Sequence, residues 1–355
     1  MITRREALRR LSLTGAAVAV SGPSAISAAF AQSELRRVPA LSREDGIIRT
    51  VLRDYAPDEL AVGPVLMHEH LSIHYPVGVA EHFTDDVELM TEEARLAVSD
   101  GVACIVDGGH PDMARSIDAL RRISAGSGMP IVAGGGYYMQ RSYPAEIASK
   151  SAEQIARELV AEVGRDRLGA LGEIGQQEGE LTPDEQKVFE AIGIAQALTG
   201  LPVFTHNAYT GRRAGTIPRD AGLRQLSALV SAGADPESIA IGHMCCLDDP
   251  NAEVAIEIAS RGAWVAFDRV TLNAIMPDQA RVTMAMAFIG AGHADKLLLS
   301  SDFYSANSLK SRGGAGLAQT VTVFAPMLRE AGASEEVVRG ILYDNPRRFL
   351  AFVPV

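Results

Sequence analysis

The sequence is short of three things, and each shortage narrows the field. Of 355 residues only three are cysteine: Cys104, Cys245 and Cys246. An odd count containing one adjacent pair is no disulfide framework. Cys104 sits in an apolar run and reads as a small core residue. Basic charge is short as well, with 33 lysines and arginines against 44 aspartates and glutamates, a net charge of −11. Nucleic acids are gripped by basic patches, so the balance argues against a nucleic-acid partner. The third shortage is of Gly-rich phosphate turns. "AGGGYY" (133–138) lacks the G-x-G-x-x-G spacing, which argues against a dinucleotide-binding open sheet. What the chain does have is 47% hydrophobic residues, enough for a large core.

The N-terminus differs from the rest. Arg4, Arg5, Arg9 and Arg10 form a basic head, no charge occurs from Leu11 to Ser33, and Ala29-Phe30-Ala31 is an A-x-A cleavage pattern. Residues 1–31 therefore read as a secretory signal, cleaved after Ala31 and set aside from the fold. Thr3-Arg4-Arg5 with Leu8 resembles a twin-arginine (Tat) signal, which implies the Tat export machinery as a partner and a periplasmic or secreted protein. The competing reading is a membrane-anchored helix, but Ser, Thr, Gly and Pro23 dilute its apolarity. Cleavage would take away four arginines and one glutamate, moving the net charge from −11 to −14.

Beyond the signal, a pattern repeats although no sequence does. Short apolar runs recur at 64–70, 104–109, 131–138, 170–175, 202–207, 239–244, 264–269 and 297–302, their last residues 25 to 39 positions apart. Each is too short for a helix and nearly continuous in apolar character, as strands buried on both faces are. Helical patterns lie between them. In "LTPDEQKVFEAIGIAQALTG", Thr182 reads as the N-cap, Pro183 as the first helical residue, Glu185 as capping-box partner and Gly200 as the stop. "DDPNAEVAIEIASRG" is expected to open at Asp249 and Pro250 and to close at Gly262. Strand–helix alternation eight times predicts an α/β fold, a (β/α)8 TIM barrel forming a single domain over 61–355, with 32–60 as an N-terminal extension.

In such a barrel the strand C-termini share one rim, and the active site forms there. The runs end in metal-ligand types: His68 and His70, Glu173, His206, His243 and Asp302. The stretch "MHEH" differs from the helical H-E-x-x-H of zinc proteases. On a strand, residues i and i+2 share a face, so His68 and His70 point inward and Glu69 outward as a structural residue. Any one of these groups can be an ordinary core histidine or a helix cap. Together they would be an expensive set of buried polar groups without a common partner, and that partner is a metal. His74, His82, His110 and His293 read as structural or solvent-exposed. Adjacent Cys245 and Cys246 lack the two-residue gap of zinc knuckles and are assigned no ligand role.

These motifs are similar to those of the phosphotriesterase family of the amidohydrolase superfamily. "GPVLMHEHL" resembles its first-strand motif, and the block from "GEIGQQEGE" to "PVFTHN" resembles its fourth-to-fifth-strand segment. "IGHMCC", "LLLSSD" and "DNPRRFL" follow in order, so the resemblance spans about residues 46–352. It implies a two-metal centre: His68, His70 and Asp302 on the more buried metal, His206 and His243 on the more exposed one. Glu173 would bridge them, where the best-known members carry a carbamylated lysine. Ser301 stands where many members have histidine or asparagine. The lactone-hydrolysing (lactonase) branch further suggests Tyr137 and Arg269 as substrate-binding residues.

Two divalent cations sharing a bridging hydroxide would supply a nucleophile and a Lewis acid, with Asp302 as the catalytic proton acceptor. Imidazole and carboxylate ligands favour Zn2+, with Mn2+, Co2+ or Fe2+ close behind. The expectation is a metal-dependent hydrolase acting on a small-molecule carboxylic ester or lactone. An amide or phosphoester (phosphotriester) hydrolase with the same centre is the second reading. A catalytically silent, exported ligand-binding barrel is the alternative of another class, and a homodimer is the assembly carried forward.

Overall fold

The computed structural model describes residues 46–74, 84–209, 211 and 217–354, all within one compact unit. The expected signal (1–31) and His82 lie outside the described residues. Among the described residues, no helix is long and apolar enough to cross a membrane. Part of the N-terminal extension forms a small antiparallel hairpin, β1 (Ile48–Arg49) with β2 (Asp54–Tyr55).

Each of the eight apolar runs contains one strand. These are β3 (Val65–Glu69), β4 (Cys104–Asp107), β5 (Ile131–Ala133), β6 (Leu171–Gly175), β7 (Val203–His206), β8 (Ile239–Ile241), β9 (Trp264–Phe267) and β10 (Leu297–Leu299). Parallel ladders join β3 to β5 and β6 to β10. Backbone bonds outside the ladders close both seams. Between β5 and β6, Gly169 N donates to Ala133 O (3.0 Å) and Gly172 N to Gly135 O (2.9 Å). Between β10 and β3, Asp302 N donates to His68 O (3.0 Å) and His70 N to Phe303 O (2.8 Å). A Cβ on Gly134 would stand 2.2 Å from Gly172 O, so glycine is required for the first seam to close. The result is the expected eight-stranded barrel.

Helices pack outside it: α1 (Val87–Ser99), α2 (Ile117–Ser127), α3 (Ala152–Asp166), α4 (Pro183–Thr199), α5 (Ala221–Ser231), α6 (Glu253–Ser260) and α7 (Asp278–Gly290), then α8 (Ala325–Glu330), α9 (Glu335–Arg339) and α10 (Asn345–Leu350). The α4 signals are all realised: Thr182 and Glu185 cap one another reciprocally, Pro183 is the first residue, and Gly200 ends it with φ 70°. Helix α6 starts later than expected, at Glu253, because the Asp249–Ala252 turn precedes it. Asp249 still accepts from Val254 N at 2.9 Å.

Strand alternation splits the core in two. Outward residues such as Leu66, Ile105 and Val265 meet the helices. Inward residues such as Val65, Val106, Phe204 and Leu298 fill the barrel's lower half, closed from below by Ile48, Phe349 and Leu350. Cys104 is among them, fully buried as expected. On β3 and β6 the register shifts, between Leu66 and Glu69 and between Leu171 and Ile174. On β3 the shift lets Met67 and His68, consecutive in sequence, both serve the interior.

Candidate metal centre

Above the apolar layer the barrel interior becomes polar. His68, His70, Glu173, His206, His243 and Asp302 are each no more than 4% exposed, and the fold brings all six together. Backbone geometry aims two of them: His243 (φ 56°) and Asp302 (φ 50°) adopt left-handed conformations where their strands end. Gly108 leaves room for a third, since a Cβ there would lie 2.9 Å from His68 Nε2.

The donor atoms divide between the two oxygens of Glu173. Its Oε2 lies 3.3 Å from His68 Nε2 and 3.6 Å from His70 Nε2. Asp302 Oδ1 completes that group, 3.0 Å from His70 Nε2 and 3.7 Å from His68 Nε2. The other oxygen, Oε1, faces His243 Nε2 at 2.9 Å and is in close contact with His206 Nδ1. His206 Nδ1 and His243 Nε2 are themselves 2.9 Å apart. Nε2 of His68 is buried and has no hydrogen-bond partner. A buried polar atom of that kind is expensive, and a cation among four imidazoles and two carboxylates would satisfy it. The donor set fits a divalent metal centre.

The charges follow from this crowding. Burial opposes ionisation of Glu173, but the charge of His68 and the close contact with His206 hold its carboxyl well below the usual range. Burial likewise disfavours the His68 imidazolium, yet Glu173 and Asp302 push its pKa well up. Desolvation dominates at His206 and lowers it to about 4. Burial also opposes protonation of His243, but its bonds to Asp268 help raise it to about 9. Against its burial, Asp302 is held well below the usual range by Arg269, whose Nε donates to Asp302 Oδ2 at 2.6 Å. Arg269, expected from the sequence as a substrate residue, therefore does stand at the site.

Tyr137 does not join the cluster: it is half-buried and its ring meets Tyr143 edge-on at 6.1 Å. Its neighbour Tyr138 takes the place, with its hydroxyl 3.3 Å from His206 Nδ1. The physical reason lies in the glycine run. β5 ends at Ala133, Gly136 has φ 133°, and alternation no longer predicts which side chain turns inward. Sequence reading also passed over Asp268. This buried carboxylate accepts from the Nδ1 of both His68 and His243, each at 2.9 Å, and from His243 N at 2.6 Å. Its signal was present, because Trp264, Ala266 and Asp268 share one strand face.

Glu69 faces outward as expected. It accepts from Ser300 Oγ (2.8 Å), Ser301 N (3.1 Å), Ser301 Oγ (2.8 Å) and Phe303 N (2.7 Å). The serine at position 301 is thus engaged in holding Glu69. Cys245 and Cys246 are buried in a short turn, and Cys245 Sγ accepts from Arg269 N at 3.3 Å. Neither belongs to a donor cluster among the described residues. His74 is half-exposed against Asp85, while His110 is fully buried rather than solvent-exposed.

A parallel barrel with histidine and carboxylate donors converging at its C-terminal rim defines a metal-dependent hydrolase. The sequence model of the phosphotriesterase family matches residues 49–350, and the chain belongs to that family. It is 31% identical over 296 residues to the phosphotriesterase homology protein of Escherichia coli K12, covering 81% of this chain and 97% of that protein. The crystal structure of that protein, complexed with phosphate in its active site, matches with a TM-score of 0.75 and 30% identity, covering 81% of this chain and 99% of the other. The N-acetyltaurine hydrolase of Xenopus tropicalis is 27% identical over 362 residues, with 88% and 100% covered. The aryldialkylphosphatase of Saccharolobus solfataricus is 28% identical over 311 residues, with 82% and 95% covered.

Proposed function

We propose that the chain is a binuclear metal-dependent hydrolase of carboxylic esters or lactones. The observation that carries this is the division of Glu173, one oxygen toward His68 and His70 and the other toward His206 and His243. A glutamate placed so can do what the carbamylated lysine does elsewhere in the family. Two divalent cations held there, Zn2+ by ligand preference, would supply Lewis acidity and a nucleophile from water at neutral pH.

The chain's own residues do the rest. His68, His70 and Asp302 hold one side, His206 and His243 the other. Asp268 occupies the Nδ1 of both His68 and His243, so each presents Nε2 to the centre. Asp302 commits Oδ1 to His70 and keeps Oδ2 on Arg269. Once Arg269 turns from it to the substrate, Oδ2 is free to take the proton from the attacking water and pass it to the leaving group. Arg269, following β9, and Tyr138, following β5, lie four strands apart around the barrel. They grip the substrate from opposite sides and stabilise developing charge.

A second reading, amide or phosphoester hydrolysis at the same centre, is favoured by the names of two relatives, N-acetyltaurine hydrolase and aryldialkylphosphatase. A hydrolysis panel of lactones, esters, amides and phosphotriesters with each candidate metal separates the readings. Asp302→Asn should abolish turnover while much of the metal remains; full activity in that variant would remove Asp302 as proton acceptor. Less than one metal per chain after metal-supplemented expression, with no loss on mutating His68 and His70, would sink the metal centre itself. The basic head and A-x-A pattern support Tat export with cleavage after Ala31. N-terminal sequencing of the mature protein should then begin at Gln32, and a chain retaining Met1 in every fraction would contradict it.

A further inference from the structure

One motif of the sequence has no part in the hydrolytic chemistry. Cys245 and Cys246 are adjacent, free and fully buried. They occupy the short 3-10 turn Met244–Cys246, directly after His243. Their two thiols interact directly. Consecutive Cα atoms are about 3.8 Å apart, short of the roughly 4.4 Å at which ordinary disulfides begin. A bond between these two sulfurs is therefore strained and easily reduced, as regulatory disulfides are and structural ones are not.

The turn is tied to the metal centre. Cys246 N donates to His243 O at 2.8 Å, and Cys246 O accepts from Gly211 N at 2.9 Å. Cys245 Sγ accepts from Arg269 N at 3.3 Å. Arg269 follows Asp268, the carboxylate that fixes His243 through both its backbone N and its Nδ1. Cys246 lies within electrostatic reach of Arg269 and Tyr304. The side chain of Arg269 is 13% exposed, so solvent comes close to the pair. Burial of the sulfurs themselves excludes bulky reagents and leaves oxidants of about the size of water.

We propose that Cys245 and Cys246 form a modification site, a vicinal dithiol that hydrogen peroxide closes to a disulfide, and that closure weakens the hold of His243 on its metal. One thiol sulfur takes an oxygen from the peroxide, whose O–O bond breaks, and becomes a sulfenic acid as water leaves. The other sulfur attacks it, the S–O bond breaks, and a second water carries off the remaining thiol proton. The two sulfurs give up two electrons, and the peroxide takes them. Closing so small a ring twists the turn, which draws Cys246 N from His243 O and Cys245 Sγ from Arg269 N. His243 stands in a left-handed conformation (φ 56°) that only its surroundings hold in place. The coupling rests on the metal-centre reading, though not on which bond is hydrolysed.

The test treats the zinc-loaded protein with hydrogen peroxide and reads two quantities, a peptide map and zinc affinity by competition with a chelator. The peptide holding both cysteines should lose about 2 Da, and zinc should be held about tenfold more weakly. A thiol reductant should restore both. A peptide that stays unmodified, or only gains oxygen, overturns the site. A disulfide that forms with unchanged zinc affinity overturns the coupling, and so does a loss that reductant leaves in place. Cys246→Ser and Cys246→Ala cannot close the ring and should keep their zinc affinity through the treatment. An equal loss in either would put the effect on other oxidised residues and overturn the coupling. Untreated protein that takes up no zinc would overturn the metal reading and the coupling with it, while the peptide map still decides the disulfide.

Discussion

The two halves of the barrel interior are made by the same strands and obey opposite rules. Below, Val65, Val106, Phe204, Trp264 and Leu298 pack against Ile48 and Phe349, and the indole N–H of Trp264 donates to Glu237 O at 2.7 Å. Above, a few residues further along the same strands, the interior carries His68, His70, Glu173, His206, His243, Asp268 and Asp302. The lower half gains free energy by burial. The upper half is stable only as a mutually neutralising set, because each member removed leaves its neighbours buried and unpaired. Substitution below should therefore be read out as stability, and substitution above as metal affinity and chemistry.

The sharpest break in that comparison is Glu173→Ala. It should cut turnover on the order of 10³-fold or more and lower the bound metal to one ion per chain or fewer, measured by elemental analysis beside the assay. Retention of both metals would move the bridge elsewhere. In the lower half, Phe349→Ala removes a ring that packs on Trp264. It should cost about 3–5 kcal/mol in urea unfolding, with the metal content of the folded fraction unchanged. Asp268→Asn sits at the boundary. It keeps the volume but cannot accept from both imidazoles as a carboxylate does. A drop in metal affinity of about 10- to 100-fold is expected from competition with a chelator.

The smallest effect concerns the loops above. Burial holds the Asp112 carboxyl up at about 6, above the ordinary aspartate range, so the folded chain binds that proton more tightly than the unfolded one. Its contribution is present in full below the ordinary aspartate pKa and is lost as pH rises through about 6. Asp112→Asn keeps an acceptor for Tyr138 N and Ser142 Oγ and cannot ionise. Relative to the parent chain it should gain about 1–3 kcal/mol in urea unfolding between about pH 4 and pH 7. An unchanged difference across that range would show that Asp112 titrates normally.

The fold was legible because buried parallel strands write themselves as apolar runs between capped helices. Thr182, Pro183, Glu185 and Gly200 marked α4 to the residue. The donors were legible for a related reason: polar side chains that end buried runs stand out against their neighbours. Tyr138 was not legible, because a glycine run has no side-chain alternation from which to count. Asp268 was less legible because a lone acid at a strand end is also what caps the next helix, although its parity with Trp264 and Ala266 pointed inward. The α6 boundary slipped because Asp249 reaches over a turn to Val254 N rather than capping the first residue after it.

The outward glutamate of the first histidine strand has a consequence in time as well as space. Glu69 clasps Ser300, Ser301 and Phe303, and His68 N donates to Ser300 Oγ at 2.8 Å, across 232 positions of sequence. The same clasp seals the barrel and seats Asp302 beside His68 and His70. A chain growing on the ribosome cannot make this contact until nearly all of it has emerged. Partial products of synthesis are consequently unable to assemble the full donor set, and cation capture becomes a mark of a finished chain.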